Sequence, residues 1–493
     1  MNRVTDRYGV VSGGSKNQAG DDAGTVDDAN YATVGGGYDN QASGNTATVS
    51  GGNGNTSSGA GASIGGGINN NATVDLSTIA GGSGNIVTDD NGTVGGGKDN
   101  QAGDNAGTTA DASCATVGGG RDNIASGWNT TVGGGGGNTS SGYFASVSGG
   151  YSNTASGSYA TVGGGESNAA SSFYTAVGGG FGNRVTDNYG VVGGGGNNLA
   201  GNDNTATDDA NFATVSGGED NVASGYHSTV GGGLDNEATG HSATIGGGGC
   251  YFPGSGYSGN EASGNLSTVG GGYANHATGF AATVCGGEGN IASGMDATVC
   301  GGMGNTASGD RSFAAGRYAS AQHNGCFVWG DDTAASVTST GEDQFIARAS
   351  GGVWFYSKSD LTKGVRLDPD ATNWTGFSTS DKSLKHNIRQ MDGRDVLNRL
   401  VQIPISRWAY RSQDPRIEHI GPMSQDFHAA FGVGADDRHI DTVDADGVAL
   451  AAIQGLYELV KEKDAKIIAQ QEQIATLEAR LAALEAIVSS ERD

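Results

Sequence analysis

A 15-residue repeat runs through the first two thirds of the chain. The sequence Ala-Thr-Val-Gly-Gly-Gly begins at Ala32 and at Ala160, and close variants begin at Ala47 and Ala62, one and two periods after the first copy. A fixed period of this length is typical of solenoids, in which each repeat forms one coil and buries its apolar face only against neighbouring coils. The repeat therefore argues against an ordinary globular core in this region.

The composition agrees with a repeat fold and with no other regular class. Glycine contributes 93 residues, proline only 5, and the hydrophobic fraction is 35%, which is too little apolar material for a conventional core. Collagen is excluded because the glycines lack its three-residue period and its proline content. Regular spacing of the few apolar residues favours a solenoid over disorder.

One unit reads A-T-V-G-G-G-x-x-N-x-A-S-G-x-x. The A-T-V triplet alternates, which predicts Ala and Val on one face and Thr on the other, and a second short strand carries the Ala of A-S-G inward. We expect the glycines to form corners, and the Asn to occupy a left-handed corner as well. The fold class is mainly β, a parallel solenoid of 15-residue coils. Its core is thin, so we expect oligomerisation to supplement it.

Four steps between repeats exceed the regular period. Three are 23-residue steps and one is a 24-residue step, namely Gly9 to Ala32, Gly92 to Ala115, Gly190 to Ala213, and Ala243 to Ser267. The extra residues are rich in Asp, Gly, Asn and Thr. They predict loops that leave one face of the solenoid.

The repeats resemble the head repeats of YadA-like trimeric adhesins over roughly residues 9–326. This resemblance implies a left-handed parallel β-roll wound as a homotrimer. We assign residues 1–325 to this rod.

Charge and hydropathy exclude several partners. The net charge is −26, and only nine of the 26 Lys and Arg residues precede residue 350, so we expect no nucleic acid and no anionic membrane as a partner. No segment has transmembrane length. The first residues lack the apolar part of a signal peptide, so the chain is either a fragment or assembles without classical secretion. We expect it in a virion, as a tail fibre, or at an extracellular or cell-surface location.

Several apparent binding motifs lack the residues or the spacing that the corresponding sites require. The five cysteines include no C-x-x-C pair, which argues against zinc, and we expect Cys285 and Cys300 to be small buried residues and not a disulfide. Residues 92–98 fit a phosphate loop, but Asp99 stands where Ser or Thr should hold magnesium. The glycine pairs do not follow the calcium-binding nonapeptide spacing either. We therefore expect no cofactor and no metal.

Aromatic residues recur just before the A-T-V triplet, and on stacked coils they would form a ladder. They are Tyr31, Trp128, Tyr143, Phe144, Tyr159, Phe173, Tyr174, Tyr189, Phe212, Tyr226 and Phe280. The ladder is interpreted in two ways. Stacked rings stabilise an edge or a subunit contact, or they form a platform for sugar rings, which would make a cell-surface glycan or a host receptor a partner.

The composition changes near residue 326. Residues 326–374 predict a β-rich connector, and residues 452–493 predict a coiled coil because apolar residues alternate there in steps of three and four. The core positions are Ile453, Leu456, Val460, Lys463, Ile467, Gln470, Ile474, Leu477, Leu481, Leu484 and Val488. Ile or Val at most a positions favours three strands, and the polar Lys463 and Gln470 at d positions are typical of layers that fix register.

We expect residues 375–451 to form an α+β domain, and this region carries the chemistry. The stretch T-S-D-K-S-L-K-H-N-I at 379–388 resembles the start of the intramolecular chaperone domain of phage endosialidases and tail spikes, peptidase family S74. The family's S-D-x-x-x-K pattern and its later isoleucine are matched by Ser380, Asp381, Lys385 and Ile388. Residues 420–426, I-G-P-M-S-Q-D, are similar to the family's I-G-x-x-A-Q-E stretch, although Ser and Asp replace Ala and Glu.

The resemblance implies self-cleavage of the bond between Thr379 and Ser380, which would release residues 380–493 once a trimer has folded. Ser380 would be the nucleophile, and a serine hydroxyl attacks only when a base removes its proton. Lys385 can be that base if burial or nearby charge lowers its pKa from about 10.4 towards neutrality. Asn387 or backbone amides would stabilise the oxyanion.

Two alternatives to this dyad remain. Ser380 and Lys385 are also compatible with a solvated helix start, where Ser followed by charged residues is common. A Ser/His/Asp triad would have to draw on four nearby histidines, and no spacing supports it. These histidines are His386, His419, His428 and His439.

The sequence thus predicts a homotrimeric fibre or adhesin-like protein whose C-terminal chaperone directs trimer assembly and cleaves its own chain as a serine endopeptidase. The alternatives are a structural spacer or sheath fibre with no specific ligand, and a glycan-binding tail spike. A glycan-degrading rod is disfavoured because no paired carboxylates stand in a context suited to glycoside hydrolysis.

Overall fold

The computed structural model describes residues 1–24, 27–204, 206–252, 256–378 and 381–490. Thr379 and Ser380 therefore lie outside the described residues. The chain divides into two compact units, one formed by Met1–Trp354 with Arg366–Thr375 and the other by Phe355–Val365 with Gly376–Asp493. Each unit is described by itself.

The first unit is the predicted parallel solenoid. Each coil contributes two short strands, and each strand pairs in parallel with its equivalent in the next coil, as Val34 does with Val49 and Ala42 with Ser57. The strands of the A-T-V triplet form one ladder, here called the valine sheet, and those of the second strand form the alanine sheet. Within the described residues each sheet comprises 21 strands.

The strands of the valine sheet are Val10–Val11, Thr33–Val34, Thr48–Val49, Ser63–Ile64, Thr78–Ile79, Thr93–Val94, Thr116–Val117, Thr131–Val132, Ser146–Val147, Thr161–Val162, Ala176–Val177, Val191–Val192, Thr214–Val215, Thr229–Val230, Thr244–Ile245, Thr268–Val269, Thr283–Val284, Thr298–Met303, Phe313–Arg317, Phe327–Gly330 and Phe345–Arg348. Those of the alanine sheet are Arg3–Val4, Gln18–Ala19, Gln41–Ala42, Thr56–Ser57, Asn71–Ala72, Ile86–Val87, Gln101–Ala102, Ile124–Ala125, Thr139–Ser140, Thr154–Ala155, Ala169–Ala170, Arg184–Val185, Leu199–Ala200, Val222–Ala223, Glu237–Ala238, Glu261–Ala262, His276–Ala277, Ile291–Ala292, Thr306–Ala307, Ala319–Ala321 and Val337–Thr338.

The core of the solenoid is as thin as the sequence predicts. Ala32, Val34 and Ala42 are fully buried, whereas Thr33 is only half-buried. A third ladder of single parallel bridges, such as Tyr38 to Asn53, closes the coil. Each coil is therefore held to its neighbours along three lines of backbone hydrogen bonds, with Ala and Val side chains between them.

The repeated asparagine does not occupy a left-handed corner, contrary to expectation. The left-handed residue precedes it, as Asp39 with φ 57° or Gly54 with φ 69°. Asn40 and Asn55 are buried instead, and Asn55 Nδ2 donates to Asn40 Oδ1 at 3.0 Å. Because the preceding residue makes the turn, the asparagine side chain can point inward. The same side chain stacks from coil to coil at positions 17, 40, 55, 70, 85, 100, 123, 138, 153, 168, 183, 198, 221, 236, 260, 275, 290 and 305.

Glycine is required where coils approach most closely. Gly37 has φ 97°, and a Cβ atom there would lie 2.2 Å from the carbonyl oxygen of Gly52 in the next coil. This confirms the expectation of positive φ and close backbone approach for the glycine corners.

The longer steps leave the ladders intact, which confirms that the extra residues form loops. Val11 pairs with Val34 across a 23-residue step, just as equivalent residues pair across a regular one. The 24-residue step contains two further strands, Cys250–Phe252 and Gly256–Ser258, which pair antiparallel. Insertions of this kind change the surface and not the stacking.

The valine sheet continues beyond residue 325. We expected Phe327–Gly330 and Phe345–Arg348 in the connector. Phe327–Gly330 pairs in parallel with Phe313–Arg317, and Phe345–Arg348 pairs in parallel with Phe327–Gly330. Their phenylalanines stack at 4.6 and 4.9 Å. These last strands are four or five residues long, so more backbone pairing and larger side chains mark the end of the ladder.

The cysteine prediction is wrong for two residues. Cys285 and Cys300 are exposed, while Cys326 is buried; all three are free thiols. Val284 and Val299 are the buried residues of those coils. Because side chains alternate along a strand, the next position points outward.

Three more strands follow the last coil along the chain, and the second unit then becomes mainly helical. The strands are Val353–Tyr356, Lys363–Leu367 and Thr375–Ser378. A 3₁₀ turn at Lys382–Leu384 precedes helices α1 (Gly393–Leu400), α2 (Ser424–Phe431) and α3 (Thr442–Ser490), with strands Ser406–Trp408 and His419–Gly421 paired antiparallel between α1 and α2. No helix in the described parts of the chain combines the length and hydropathy needed to cross a membrane.

Candidate functional site

The described part of the predicted cleavage site begins at Asp381. Its carboxylate caps the 3₁₀ turn by accepting hydrogen bonds from the backbone N–H and the hydroxyl of Ser383, both at 2.8 Å. These two bonds, the backbone one first, hold the pKa of the Asp381 carboxyl below its ordinary value. The acidic residue of the S-D-x-x-x-K pattern therefore shapes the turn that carries the lysine.

Lys385 ends this turn. Its backbone N–H donates to the carbonyl oxygen of Lys382 at 3.3 Å, and its side chain is exposed. Asn387 has φ 58°, and Ile388 is also exposed. A lysine acts as a base only in its neutral form, which burial favours. In the single chain the turn presents the Lys385 side chain to solvent.

A small apolar core holds the helical unit together. It contains Val396 of α1, Ile403, Phe427 of α2, and Val448 and Ala452 of α3. Along the chain, α1 precedes the antiparallel strand pair, whereas α2 and α3 follow it. One end of the long helix is thus fixed to the rest of the unit.

Helices α1 and α3 approach through two glycines. A Cβ atom at Gly455 would lie 2.1 Å from the carbonyl oxygen of Gly393. Next to this contact, Arg394 Nη2 lies 2.7 Å from Glu462 and its Nε lies 3.7 Å from Glu458. The hydrogen bond to Glu462 is the main reason that the pKa of Arg394 is raised. Backbone contact and ion pairs together set where α3 leaves the core.

The second stretch of family-like residues crosses from a strand into a helix. Ile420 and Gly421 end the second strand of the antiparallel pair, and Ser424 begins α2, which ends at Gly432 in a left-handed conformation with φ 65°. Phe427 places this segment in the core. The stretch itself is exposed or half-buried, as Ile420 is with 71% exposure.

Three of the four candidate histidines, all but His386, have local partners in the described part of the chain. His419 Nε2 lies 3.1 Å from Gln413 Oε1, His428 Nδ1 lies 3.0 Å from the carbonyl oxygen of Val433, and His439 Nδ1 lies 2.9 Å from Asp436 Oδ1. None of these contacts, within the described residues, joins a histidine to a serine hydroxyl. The triad alternative gains no support.

Helix α3 exposes the apolar positions of the predicted heptads. Ile453, Ile467 and Leu477 have exposed fractions of 61%, 48% and 61%. Beyond Ala452 the helix contributes no residue to the buried core of its unit among those described. An exposed apolar stripe of this length is typical of a helix that packs against copies of itself.

The predicted aromatic ladder is present on the solenoid. Phe144, Tyr159, Tyr174, Tyr189 and Phe212 form a column in which consecutive rings are nearly parallel, at centroid distances of 5.4, 4.7, 5.6 and 4.8 Å. All five have φ between 55° and 62°. Bulky side chains rarely adopt this left-handed backbone, so stacking can offset a local strain in the five coils that carry these rings.

A second column meets the first one edge-on. Tyr143 packs against Phe144 at 4.6 Å and 79°, and Phe173 against Tyr174 at 4.3 Å and 83°. These four residues remain partly exposed to solvent. Most ring faces in the column pack against neighbouring rings, so a ligand would contact the ring edges.

Comparison with known proteins identifies one part of the chain. Residues 380–433 match the peptidase S74 family model, described as chaperone of endosialidase. No curated protein sequence matches the chain. The match covers the turn with Lys385, α1, the strand pair and α2, and it supports a role in trimer assembly for this part of the chain.

Proposed function

We propose that this protein is a homotrimeric fibre whose C-terminal part aligns three chains during folding and then releases itself by cleavage before Ser380. The observation that carries this proposal is the exposed heptad stripe of α3, directly after residues that match a chaperone of endosialidase. Exposed apolar residues in this number are unfavourable in water. Packing three such helices together removes them from solvent.

The stripe favours three chains. Ile or Val occupies most a positions, as at Ile453, Val460 and Ile467, and polar residues occupy the d positions Lys463 and Gln470. Such polar layers are costly in a shifted alignment, so they fix the register of the helices. The coil would therefore set both the number of chains and their alignment.

A uniform rod needs such a device. Successive coils are nearly identical, so a slip of one whole coil between chains sacrifices little pairing. A C-terminal coil that aligns first removes this ambiguity before the rod winds. We propose that the wound product is a trimer of left-handed rolls, as the YadA-like resemblance implies.

The proposed cleavage is an acyl shift followed by hydrolysis. Ser380 Oγ attacks the carbonyl carbon of Thr379, its proton passes to neutral Lys385, and the C–N bond breaks as the nitrogen of Ser380 is protonated. Water then hydrolyses the ester, which leaves a carboxylate on Thr379 and a free amine on Ser380. Burial of the exposed Lys385 by neighbouring chains would switch the reaction on after assembly, and release would make assembly irreversible.

Denaturing gel analysis tests the cleavage. Wild-type protein is expected to give two bands, while Ser380→Ala and Lys385→Ala are expected to give one full-length band of 49.0 kDa. Ser424→Ala is the matched control, because this serine lies outside the turn, at a position where the family pattern has Ala, and its replacement is expected to leave cleavage intact. A full-length band in wild type and in Ser380→Ala alike would refute the proposal.

We further propose that the rod serves attachment at a virion or cell surface, with the exposed aromatic edges contacting a surface glycan or receptor. The second candidate is a spacer with no ligand, favoured by rings whose faces already stack on one another. Binding of residues 1–379 to a glycan array separates the two. Silence across the array would favour the spacer.

A further inference from the structure

The three 23-residue steps share a local pattern that the repeat does not explain. In the coil before each inserted loop, Thr-Asp replaces the Ser-Gly found in regular coils such as Ser43-Gly44, and an alanine, a glycine and a further Asp or Asn open the loop itself. The three Thr-Asp pairs are Thr5-Asp6, Thr88-Asp89 and Thr186-Asp187. The pattern recurs only where a loop has to be held against the rod.

In the first loop three carboxylates converge. Asp6, Asp21 and Asp28 bring carboxylate oxygens within 4.8 Å of one another, and their exposure increases from buried Asp6 to exposed Asp28. Asp6 Oδ2 accepts a hydrogen bond from the backbone N–H of Asp21 at 2.9 Å. A Cβ atom at Gly20 would lie 2.3 Å from the same oxygen, so the loop backbone is packed directly on the carboxylate.

The second oxygen of Asp6 is unsatisfied. Asp6 is 6% exposed, and its Oδ1 atom is buried without a hydrogen-bond partner in the described part of the chain. The nearby arginines are paired with other carboxylates, Arg3 with Asp22 at 2.7 Å and Arg7 with Asp27 at 2.9 Å. A buried anionic oxygen beside two more carboxylates is unfavourable unless a positive charge joins them.

The second loop repeats this arrangement with different neighbours. Asp89, Asp104 and Asp111 also bring carboxylate oxygens within 4.8 Å of one another, and Asp89 is fully buried. Its backbone donors are neutral, the N–H of Asp104 at 2.9 Å and that of Ala112 at 3.3 Å. Neutral donors offset only part of the cost of burying a charge beside two more carboxylates.

The third loop contains asparagine side chains that donate hydrogen bonds to one of its acidic residues. Asn202 and Asn204 stand where the first loop has Asp21 and Ala23. Asn204 Nδ2 donates to Asp209 Oδ2 at 2.7 Å, and this bond, followed by one from Asn202, holds the pKa of Asp209 below its ordinary value. Asparagine amides in the third loop therefore replace the carboxylate of Asp21 and the methyl group of Ala23. The carboxylate of Asp209 is stabilised by these amides and needs no cation.

We propose that the first and second loops each bind a divalent cation of the calcium type, and that the third does not. The ligands are all oxygens, they come from a buried coil residue and from a loop, and one side of the set opens to solvent. Calcium accepts six to eight oxygen ligands in flexible geometry, whereas magnesium demands a near-ideal octahedron. The bound ion would fasten each loop to the rod.

Equilibrium dialysis of the full chain against radioactive calcium, at about 1 mM free ion where extracellular calcium modules bind, counts the bound ions. We expect two per chain in wild type and one in Asp6→Asn/Asp28→Asn. We expect three in Asn202→Asp/Asn204→Ala, which gives the third loop the residues of the first. Asp39→Asn, an acidic corner residue outside the loops, is the control and should retain two.

Wild-type protein that binds no calcium, or an Asp6→Asn/Asp28→Asn variant that still binds two ions, would overturn the proposal. If circular dichroism shows that this variant is unfolded, the Asn202→Asp/Asn204→Ala variant decides. Failure of that folded variant to gain an ion would then overturn the proposal as well.

Discussion

At the scale of the residue, the buried asparagine is the most demanding position of the coil. Asn153 Nδ2 donates to Asn138 Oδ1, to the carbonyl of Gly149 in its own coil and to that of Gly165 in the next, at 3.2, 3.0 and 2.8 Å. Its Oδ1 accepts from both nitrogens of Asn168. One side chain thus bonds to polar groups of three coils, among them backbone groups of two, inside a core made mainly of Ala and Val.

Replacing this side chain should be costly. We expect Asn153→Ala to lower the free energy of unfolding by about 1–3 kcal/mol, because it leaves buried carbonyl and amide groups without partners. Ser156→Ala, at an exposed position of the same coil, should change it by less than about 0.5 kcal/mol. Urea unfolding followed by circular dichroism measures both, and equal losses would contradict the role of the ladder.

At a left-handed aromatic position, we expect a glycine variant to be more stable than an alanine variant, the reverse of the usual order. Tyr174 has φ 55° and stacks on Tyr159 and Tyr189. Tyr174→Ala loses the stacking and retains the left-handed backbone, which costs an L-residue about 1–2 kcal/mol, whereas Tyr174→Gly loses only the stacking. The Gly variant should therefore unfold at higher urea than the Ala variant. At Thr161, in a strand, the order should be reversed.

The residue scale also shows what the sequence could predict. The inward positions of Val34 and Ala42 followed from alternation along a strand. The burial of Asn40 did not, because a polar residue beside glycines is as compatible with a corner as with a core, and only the torsion at Asp39 decides between them. The first loop carboxylates, such as Asp6 and Asp28, were missed for a related reason: they are distant in the chain and meet only when coils stack.

At the scale of the element, the contact between α1 and α3 depends on two glycines. Gly455→Ala places a methyl group against Gly393, and we expect a loss of about 1–3 kcal/mol from overpacking. Gly447→Ala lies in the same helix with no atom within 4 Å of the new Cβ, so it should stabilise the helix by up to about 1 kcal/mol. Thermal melting of the helical circular dichroism signal distinguishes the two; the same sign of change in both would contradict this packing.

The elements of the helical unit were only partly predictable. The 3–4 spacing from Ile453 to Val488 predicted a long helix, and α3 starts before the predicted coil because its first turns pack on α1 and α2 through Val448 and Ala452. The contact of Gly393 with Gly455 leaves no periodic signal, since it joins two short stretches far apart in the chain. Ser380, the proposed nucleophile, lies outside the described residues, and its role stays a prediction.

At the scale of the whole molecule, the repeat and the chaperone match explain each other. In a rod of near-identical coils, the structure of each coil is well defined, but the alignment of neighbouring chains is not. We propose that the exposed apolar stripe of α3 defines this alignment. We propose that Lys385, which is exposed in the single chain, links the two, because a lysine that acts as a base needs the burial that association of three chains would supply.

The mass of the purified protein tests this link most directly. In wild type we expect a fragment that begins at Ser380. We expect the intact chain in Ile467→Asp, which places a charge at a core position of the stripe, and cleavage as in wild type in Ile468→Asp, since Ile468 is also exposed but lies off the stripe. An intact wild-type chain, or equal cleavage in Ile467→Asp and wild type, would contradict the account.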